Sequence, residues 1–233
     1  MTSPDSPLVE ILRRTRTLLV DFDGPICSVF AGYSASAVAD ELRRLVAAHG
    51  GIAVEDLDAD EGPISVLRQV ANTGPAVLVH AVADALRDAE VKAIRTAEPT
   101  PGADELLRAA HATGRRVAVV SNNSQEAVRG YLDRNGLSAS VDGISGRYDG
   151  MDPRLMKPDG HLIHRALEAL DAEPATTALV GDSVADAHAG TSAGTRVIGY
   201  ANKPGKRDNL TAAGARVVVD SLSELYSALL HAR

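Results

Sequence analysis

Two aspartates, Asp21 and Asp23, follow an apolar run in the segment LLVDFDGPI, residues 18–26. In an extended chain, side chains two positions apart point to the same side, so these carboxylates would lie close together at the end of a buried strand. Neighbouring like charges oppose each other's ionisation unless a cation compensates them. The pair therefore indicates a functional site at the end of this strand.

Polar side chains also follow other apolar runs. Ser121 and Asn122 end RVAVVSN, Asp182 and Asp186 lie in LVGDSVAD, and Lys157 lies in LMKPDG just before a predicted helix. Carboxylate oxygens without paired His or Cys side chains suit Mg²⁺, which usually binds together with a phosphate group. The combined set predicts a site for Mg²⁺ and a phosphoryl group.

The elements that must position these residues follow an alternating pattern after about residue 100. We predict strands at 17–22, 116–121, 142–147, 177–182, 196–200 and 215–220. We predict helices at 102–113, 124–135, 159–170, 184–193 and 222–231. Several strands are almost entirely apolar, as expected for strands covered on both faces. The pattern predicts an α/β fold with a doubly wound parallel sheet.

Residues 30–98 interrupt this alternation with helical patterns and no convincing strand. We interpret them as a helical subdomain inserted into a core of residues 1–29 and 99–233. The Pro-rich return EPTPG, residues 98–102, is interpreted as a hinge. The insertion begins at the carboxyl end of the first strand, where open α/β sheets bind ligands, so it is expected to cover the site. Candidates for substrate selection in it are Tyr33, Arg68 and Arg87, whose orientation the sequence does not decide.

The order of the motifs resembles that of the haloacid dehalogenase superfamily: DxD after the first strand, Ser after the second, then Lys, then GDxxxD. The inserted helices resemble the first type of helical cap in that family, as in phosphoglycolate phosphatase-like and β-phosphoglucomutase-like members. The resemblance implies a Rossmann-like core and a phosphoaspartyl mechanism. Pro25 is a departure, because the family usually has Thr or Val after DxDG.

The resemblance implies that Asp21 is the nucleophile and that Asp23 is the general acid and base. Lys157 would orient Asp21, and together with Mg²⁺ it would lower the pKa of that carboxyl. Asp23 needs the opposite change: reduced solvation beneath the insertion would raise its pKa and allow it to carry a proton to the leaving oxygen.

The remaining roles concern phosphate and metal. Ser121, Asn122 and Lys157 would bind the phosphoryl oxygens. The implied metal ligands are Asp21, the backbone carbonyl of Asp23, Asp182 and Asp186, the last directly or through water.

Composition narrows the classes of partner. The formal net charge is −7 and the pI is about 5.5, with no run of basic residues, so nucleic acid is not an expected partner. No stretch approaches 18 consecutive apolar residues, and the first residues lack the pattern of a signal peptide. We therefore expect a cytoplasmic protein with no membrane contact. The single cysteine, Cys27, excludes an intramolecular disulfide.

Three functions remain open from sequence. The first is a Mg²⁺-dependent phosphatase acting on a small phosphorylated metabolite. The second is a phosphomutase, which shares every motif, and the third is a non-catalytic binding protein of the same fold. Dehalogenation is disfavoured because halide needs no proton donor, whereas Asp23 is present. Neither the substrate nor the oligomeric state is decided by the sequence.

Overall fold

The computed structural model of the protein describes residues 6–50, 52, 57 and 62–232. Its centre is a six-stranded, entirely parallel sheet with the order β5-β4-β1-β6-β7-β8. The sheet strands are β1 (Thr17–Val20), β4 (Arg116–Ser124), β5 (Gly143–Arg147), β6 (Thr177–Gly181), β7 (Arg196–Tyr200) and β8 (Val217–Val219). This arrangement confirms the predicted fold class and all six predicted strands.

The strand order explains why the motifs meet. β1 lies between β4 and β6, with Leu19 in register with Ala118 on one side and Leu179 on the other. The three strands that carry the aspartate pair, the serine and the GDxxxD motif are therefore adjacent. Because they are parallel, their carboxyl ends reach the same edge of the sheet.

Helices cover both faces of the sheet. Within the described residues the α-helices are α1 (Pro7–Arg13), α2 (Ala35–His49), α3 (Pro63–Thr73), α4 (Ala76–Ala93), α5 (Ala103–Ala112), α6 (Gln125–Arg134), α7 (His161–Ala169), α8 (Val184–Ser192), α9 (Lys206–Ala212) and α10 (Leu222–His231). Alternate residues of β1 point to different layers: Leu18 and Val20 pack in the layer with α1, α5 and α10, whereas Leu19 packs in the layer with α7. The two-sided cover accounts for the apolar strand sequences.

Several boundaries differ from the sequence interpretation. β1 and β8 are shorter than predicted, β4 extends to Ser124, and α1 and α9 were not predicted. These two helices have only seven residues each, too few to show a clear periodic pattern.

The segment between β1 and α5 contains helices α2, α3 and α4, here called the helical insertion. The chain enters it through β2 (Cys27–Ser28) and leaves it through β3 (Glu98–Pro99), and the two pair antiparallel. The predicted hinge thus begins as half of a two-stranded ribbon. Apolar residues of the insertion, such as Leu42 and Leu86, join one buried cluster with Val120 and Leu162 of the core.

Among the described residues, no helix is both long and apolar enough to cross a membrane. Cys27 is buried, and burial raises the pKa of its thiol. It is therefore a packing residue of the core.

Candidate active site

Asp21 lies immediately after β1 at the centre of the sheet edge. Its backbone N–H extends the ladder by donating to the carbonyl of Val180, 2.9 Å away. The residue is 6% exposed. The ladder contact on β6 and the buried position give the carboxylate a single, fixed direction, as a nucleophile requires.

Lys157 joins two of the carboxylates. Its Nζ donates to Asp21 Oδ1 at 2.6 Å, to Asp186 Oδ1 at 2.5 Å and to the carbonyl of Val120 at 3.1 Å. Burial alone would lower the pKa of Lys157, but the two carboxylates outweigh it and raise the pKa. The ammonium therefore stays charged and holds Asp21 in place.

The expected ionisation of Asp21 is only partly supported. Burial raises the pKa of Asp21, and the negative charges of Asp186 and Asp182 raise it further, while Lys157 lowers it. The net direction is upward, because burial and the two neighbouring negative charges together outweigh the Lys157 ammonium. Lys157 alone thus does not bring the pKa of Asp21 below its ordinary value, and the predicted lowering depended on Mg²⁺ as well.

Asp182 is the third buried carboxylate of the site. Its Oδ2 accepts hydrogen bonds from Asn202 Nδ2, at 2.9 Å, and from Lys206 Nζ. The backbone at Gly24 passes so close that a Cβ at that position would lie 2.5 Å from Asp182 Cγ, and its φ of +117° also favours glycine. Glycine at this position is what lets Asp182 approach the aspartate pair.

The donor set fits a small divalent cation. Carboxylate oxygens of Asp21, Asp182 and Asp186 lie within 4.8 Å of one another, and all three residues are buried. Buried carboxylates in such proximity need positive charge, and an all-oxygen set is what Mg²⁺ prefers. The side chain of Asp23 is not in this cluster, in keeping with the expectation that only its backbone carbonyl would contact the metal.

Asp186 also makes hydrogen bonds to protein groups with both of its carboxylate oxygens. Its Oδ1 binds Lys157, and its Oδ2 accepts from the N–H and the hydroxyl of Ser183, at 3.1 and 2.6 Å, in a capping box that begins α8. Both oxygens are thus engaged by protein donors. Asp186 therefore fixes Lys157 against α8.

Asp23 faces a different environment from Asp21. Its side chain is exposed to solvent, and Oδ1 accepts a hydrogen bond from Val29 N at 3.0 Å. The surrounding protein removes water from its other sides, and this desolvation raises the pKa of the carboxyl, while the Val29 bond opposes the rise. The direction agrees with the prediction for a general acid. Pro25 is buried in the turn that separates Asp23 from β2.

Ser121 and Asn122 lie in β4 beside β1 but use their side chains differently. Ser121 Oγ is bonded to Asn123, whose Oδ1 and N lie 3.0 Å away. Asn122 binds the main chain of Lys157 with both amide atoms, at 2.8 and 3.0 Å. The Asn122 amide therefore positions Lys157, and its backbone is the part of this residue that stays a candidate phosphate ligand.

The three candidates for substrate selection separate in the structure. Arg68 of α3 donates to the carbonyl of Lys157 at 2.7 Å, so it helps to hold the backbone of Lys157 in position. Arg87 of α4 instead binds exposed carboxylates, those of Asp84 and Asp149 among them. Tyr33 is half-buried and packs between the core and the insertion.

Sequence reasoning missed three polar residues near the site: Asn202, Lys206 and Glu90. The first two follow β7, and their position after a sheet strand was the available signal. Glu90 belongs to the buried stripe of α4, which is otherwise formed by Leu78, Val82, Leu86, Ala89 and Ala93. A carboxylate within an apolar helix stripe was the signal for a buried polar contact.

Known proteins share part of this sequence. The chain is 34% identical over 137 residues to a plasmid-encoded phosphoglycolate phosphatase of Cupriavidus necator, a match covering 57% of this chain and 56% of that protein. It is 29% identical over 191 residues to a phosphoglycolate phosphatase of Aquifex aeolicus, covering 78% of this chain and 82% of that one. The chain thus spans little more than half the length of the first relative.

Solved structures share the fold. A hydrolase from Pseudomonas syringae superposes with a TM-score of 0.71 at 19% identity, covering 92% of this chain and 97% of that one. CbbY from Rhodobacter sphaeroides, solved with phosphate, superposes with a TM-score of 0.65 at 20% identity, covering 91% and 96%. The haloacid dehalogenase-like hydrolase family matches residues 15–194, a range that contains Asp21, Ser121, Lys157 and Asp182. The chain therefore belongs to the haloacid dehalogenase-like hydrolase family.

Proposed function

We propose that this protein is a Mg²⁺-dependent phosphatase that hydrolyses a small phosphorylated metabolite through an aspartyl-phosphate intermediate. The observation that carries the proposal is the position of Asp21, a buried carboxylate at the end of β1 held by Lys157 at 2.6 Å. A carboxylate fixed in this way, beside two others that need a cation, is suited to attack phosphorus rather than carbon–halogen bonds.

In the first step, an oxygen of Asp21 attacks phosphorus and the bond between phosphorus and the ester oxygen breaks. Asp23 gives its proton to the departing oxygen, for which its raised pKa and exposed position are suitable. Lys157 and Ser121 offset charge on the phosphoryl oxygens during transfer.

In the second step, Asp23 is ionised and removes a proton from water as the water attacks phosphorus. The bond between phosphorus and Asp21 then breaks, which frees the carboxylate and releases inorganic phosphate. One residue thus acts first as acid and then as base, and the enzyme returns to its starting protonation state.

The residues that would hold Mg²⁺ are Asp21, Asp182 and Asp186, with the backbone carbonyl of Asp23. When bound, the ion supplies positive charge that favours ionised Asp21 and stabilises the phosphoryl oxygens. The rise in the pKa of Asp21 from burial and from its two neighbours supports this requirement.

The substrate class rests on the insertion and on the relatives. The insertion packs on the core beside the site, an arrangement suited to small substrates, and the relatives from Cupriavidus and Aquifex are named for phosphoglycolate. We also propose that the protein acts in the cytoplasm. Another relative, from Halalkalibacterium halodurans, is named a pyrophosphatase, so pyrophosphate belongs in the substrate panel.

The test is release of inorganic phosphate from a panel of sugar, glycolytic, amino-acid and nucleotide monophosphates, phosphoglycolate and pyrophosphate. Turnover is expected with Mg²⁺, and it should cease in EDTA. Rapid acid quench should trap phosphate covalently on Asp21, and Asp133→Asn, a matched change on the exposed side of α6, should alter neither result.

Three other results of this assay would each contradict a different part of the proposal. Isomerisation of a sugar phosphate without net phosphate release would indicate a phosphomutase. Absence of turnover across the whole panel would favour a non-catalytic binding protein, and full activity in EDTA would refute the metal site.

A further inference from the structure

Asp23 lies in a turn that is held together largely by its own hydrogen bonds. Backbone hydrogen bonds of 2.8–3.1 Å join residues within this turn, here called the Asp23 turn (residues 22–29). Among the described residues, the Asp23 carboxyl accepts one hydrogen bond, from Val29 N of the same turn. The position of this carboxyl relative to Asp21 therefore depends on how the turn as a whole is attached to the core.

Thr100 attaches the Asp23 turn to the chain that returns from the helical insertion. It lies between β3 and α5, where its backbone N–H donates to the carbonyl of Ile26 at 3.0 Å and its Oγ1 donates to the carbonyl of Gly24 at 2.6 Å. Every residue except proline could supply the first bond, whereas the second needs a donor on a short side chain. The Thr100 hydroxyl thus adds a specific contact to the residue that directly follows Asp23.

Gly24 by itself does little to fix the tip of this turn. Its φ of +117° is accessible because glycine is conformationally permissive. The peptide group between Gly24 and Pro25 has no N–H, so its carbonyl is its one hydrogen-bonding group, and Thr100 is the donor for this carbonyl within the described part of the chain. Without the hydroxyl, the carbonyl would rotate toward water to regain a donor. Because Asp23 directly precedes Gly24, that rotation would displace its carboxyl.

Asp182 restricts the tip of the turn from a second direction. Its carboxylate is so close that a Cβ on Gly24 would lie 2.5 Å from its Cγ. This contact limits movement toward Asp182, and the Thr100 hydrogen bond limits movement in other directions. A general acid transfers its proton only within hydrogen-bond reach of the leaving oxygen, so a small displacement of Asp23 should slow the transfer.

We propose that Thr100 is a positioning residue for Asp23: its hydroxyl fixes the Gly24 carbonyl and thereby holds the Asp23 carboxyl where it can protonate the leaving oxygen. The inference rests on the proposed function, in which Asp23 is the general acid. The Thr100 hydroxyl therefore matters for esters whose leaving oxygen needs a proton, and not for esters whose leaving group departs as a stable anion.

The experiment measures phosphoryl transfer in single turnovers, with enzyme in excess and Mg²⁺ at saturation. The alkyl ester is phosphoglycolate, or the alkyl monophosphate of the substrate panel that is turned over fastest, and the aryl ester is p-nitrophenyl phosphate. Thr100→Val removes the hydroxyl and keeps the branched shape, whereas Thr100→Ser keeps the hydroxyl. The matched control is Thr73→Val, which removes an exposed hydroxyl that donates to the carbonyl of Gln69 in α3.

Thr100→Val should slow transfer from the alkyl ester about tenfold, the worth of one hydrogen bond near the upper end of its range. Transfer from the aryl ester should change by less than about twofold. Thr100→Ser and Thr73→Val should retain the wild-type rate with both esters. In an Asp23→Asn protein, adding Thr100→Val should cause no further slowing, because the residue through which Thr100 acts has already been removed.

Equal slowing of both esters, or a loss of Mg²⁺ affinity in calorimetry, would overturn the inference, because Thr100 would then act on Asp21 or on Asp182. An unchanged alkyl rate in Thr100→Val, a Thr100→Ser protein as slow as Thr100→Val, or a further slowing of about tenfold in the Asp23→Asn protein would also overturn it. If thermal unfolding shows that Thr100→Val does not fold, Thr100→Ala takes its place with the same criteria. Unmodified protein that hydrolyses no ester would instead refute the proposed function itself, and the inference with it.

Discussion

Replacement of Asp21 by Asn should abolish turnover and yet stabilise the metal-free protein. The amide cannot form the acyl phosphate, so turnover should fall by roughly 10⁴-fold or more. The fold should benefit, because burial and the charges of Asp186 and Asp182 raise the pKa of Asp21 above the ordinary value of 3.8. An ionised group with a raised pKa destabilises the folded state at neutral pH.

The gain in stability of Asp21→Asn is the difference between two opposing effects. Each tenfold displacement of a carboxyl's protonation equilibrium is worth about 1.4 kcal/mol at neutral pH. The amide oxygen still accepts from Lys157, but this bond loses its charge assistance, at a cost of about 1 kcal/mol. We expect a net gain in the free energy of unfolding, and each 1 kcal/mol of it would raise the melting temperature of a chain of this size by about 2–4 °C.

The assay is thermal unfolding in EDTA between pH 4 and pH 8, with turnover measured separately in Mg²⁺. As pH rises through the raised pKa of Asp21, the unfolded chain of the wild type releases its proton before the folded chain does, so wild-type stability declines. The advantage of Asp21→Asn should therefore widen with pH. Lys157→Met should instead destabilise the fold, because it leaves buried carboxylates without their ammonium. We expect the free energy of unfolding to fall by about 3–5 kcal/mol.

A clear result would refute this reasoning. If Asp21→Asn in EDTA melts below the wild type, while the matched surface variant Asp133→Asn is unchanged, the Lys157 contact outweighs burial and repulsion. The site would then be stable without a metal. Near-normal turnover of Asp21→Asn would remove the phosphoaspartyl mechanism.

Three further predictions concern the rest of the site. Asp23→Asn should slow phosphoryl transfer from an alkyl phosphate by roughly 10²- to 10⁴-fold in single-turnover kinetics, and from an activated aryl phosphate much less, because a phenolate leaves without a proton. Equal slowing of both esters would show that Asp23 is not the acid. Gly24→Ala should weaken Mg²⁺ binding measured by calorimetry, since its Cβ would lie 2.5 Å from Asp182 Cγ; unchanged affinity would contradict the close approach. Lys206→Met should strengthen Mg²⁺ binding about tenfold, because the Lys206 ammonium competes for Asp182 Oδ2, and weaker binding would show that it supports the metal instead.

Local patterns predicted the core elements well. Five of the six sheet strands and the five predicted core helices carry an apolar run or a clear helical periodicity, whereas β5, with the sequence GISGR, contains one large apolar residue. The polar residues after the strands were identified for the same reason: a charged side chain at the end of a buried strand stands out against its neighbours. The sequence alone was enough to select Asp21, Lys157 and Asp182 as candidate site residues.

The sequence did not predict which hydrogen-bond partners the polar side chains of the site would have. Asn122 follows Ser121 in the sequence and stays a predicted phosphate ligand, and the structure adds that its amide binds the main chain of Lys157. Asp186 was expected at the metal, and both of its oxygens also serve Lys157 and Ser183. Hydrogen-bond partners depend on distance in space, and a side chain with several possible partners takes the one that the fold brings near.

The sequence by itself determined the α/β class, the order of the motifs and the residue types that meet at the sheet edge, because these depend on neighbours within a few positions. Only the tertiary structure decided that Lys206 binds Asp182 and that Glu90 pairs with Arg147, contacts between residues 24 and 57 positions apart. Such pairs leave no local pattern, since their cost of burial is met only when strand order and helix packing bring the opposite charge into reach.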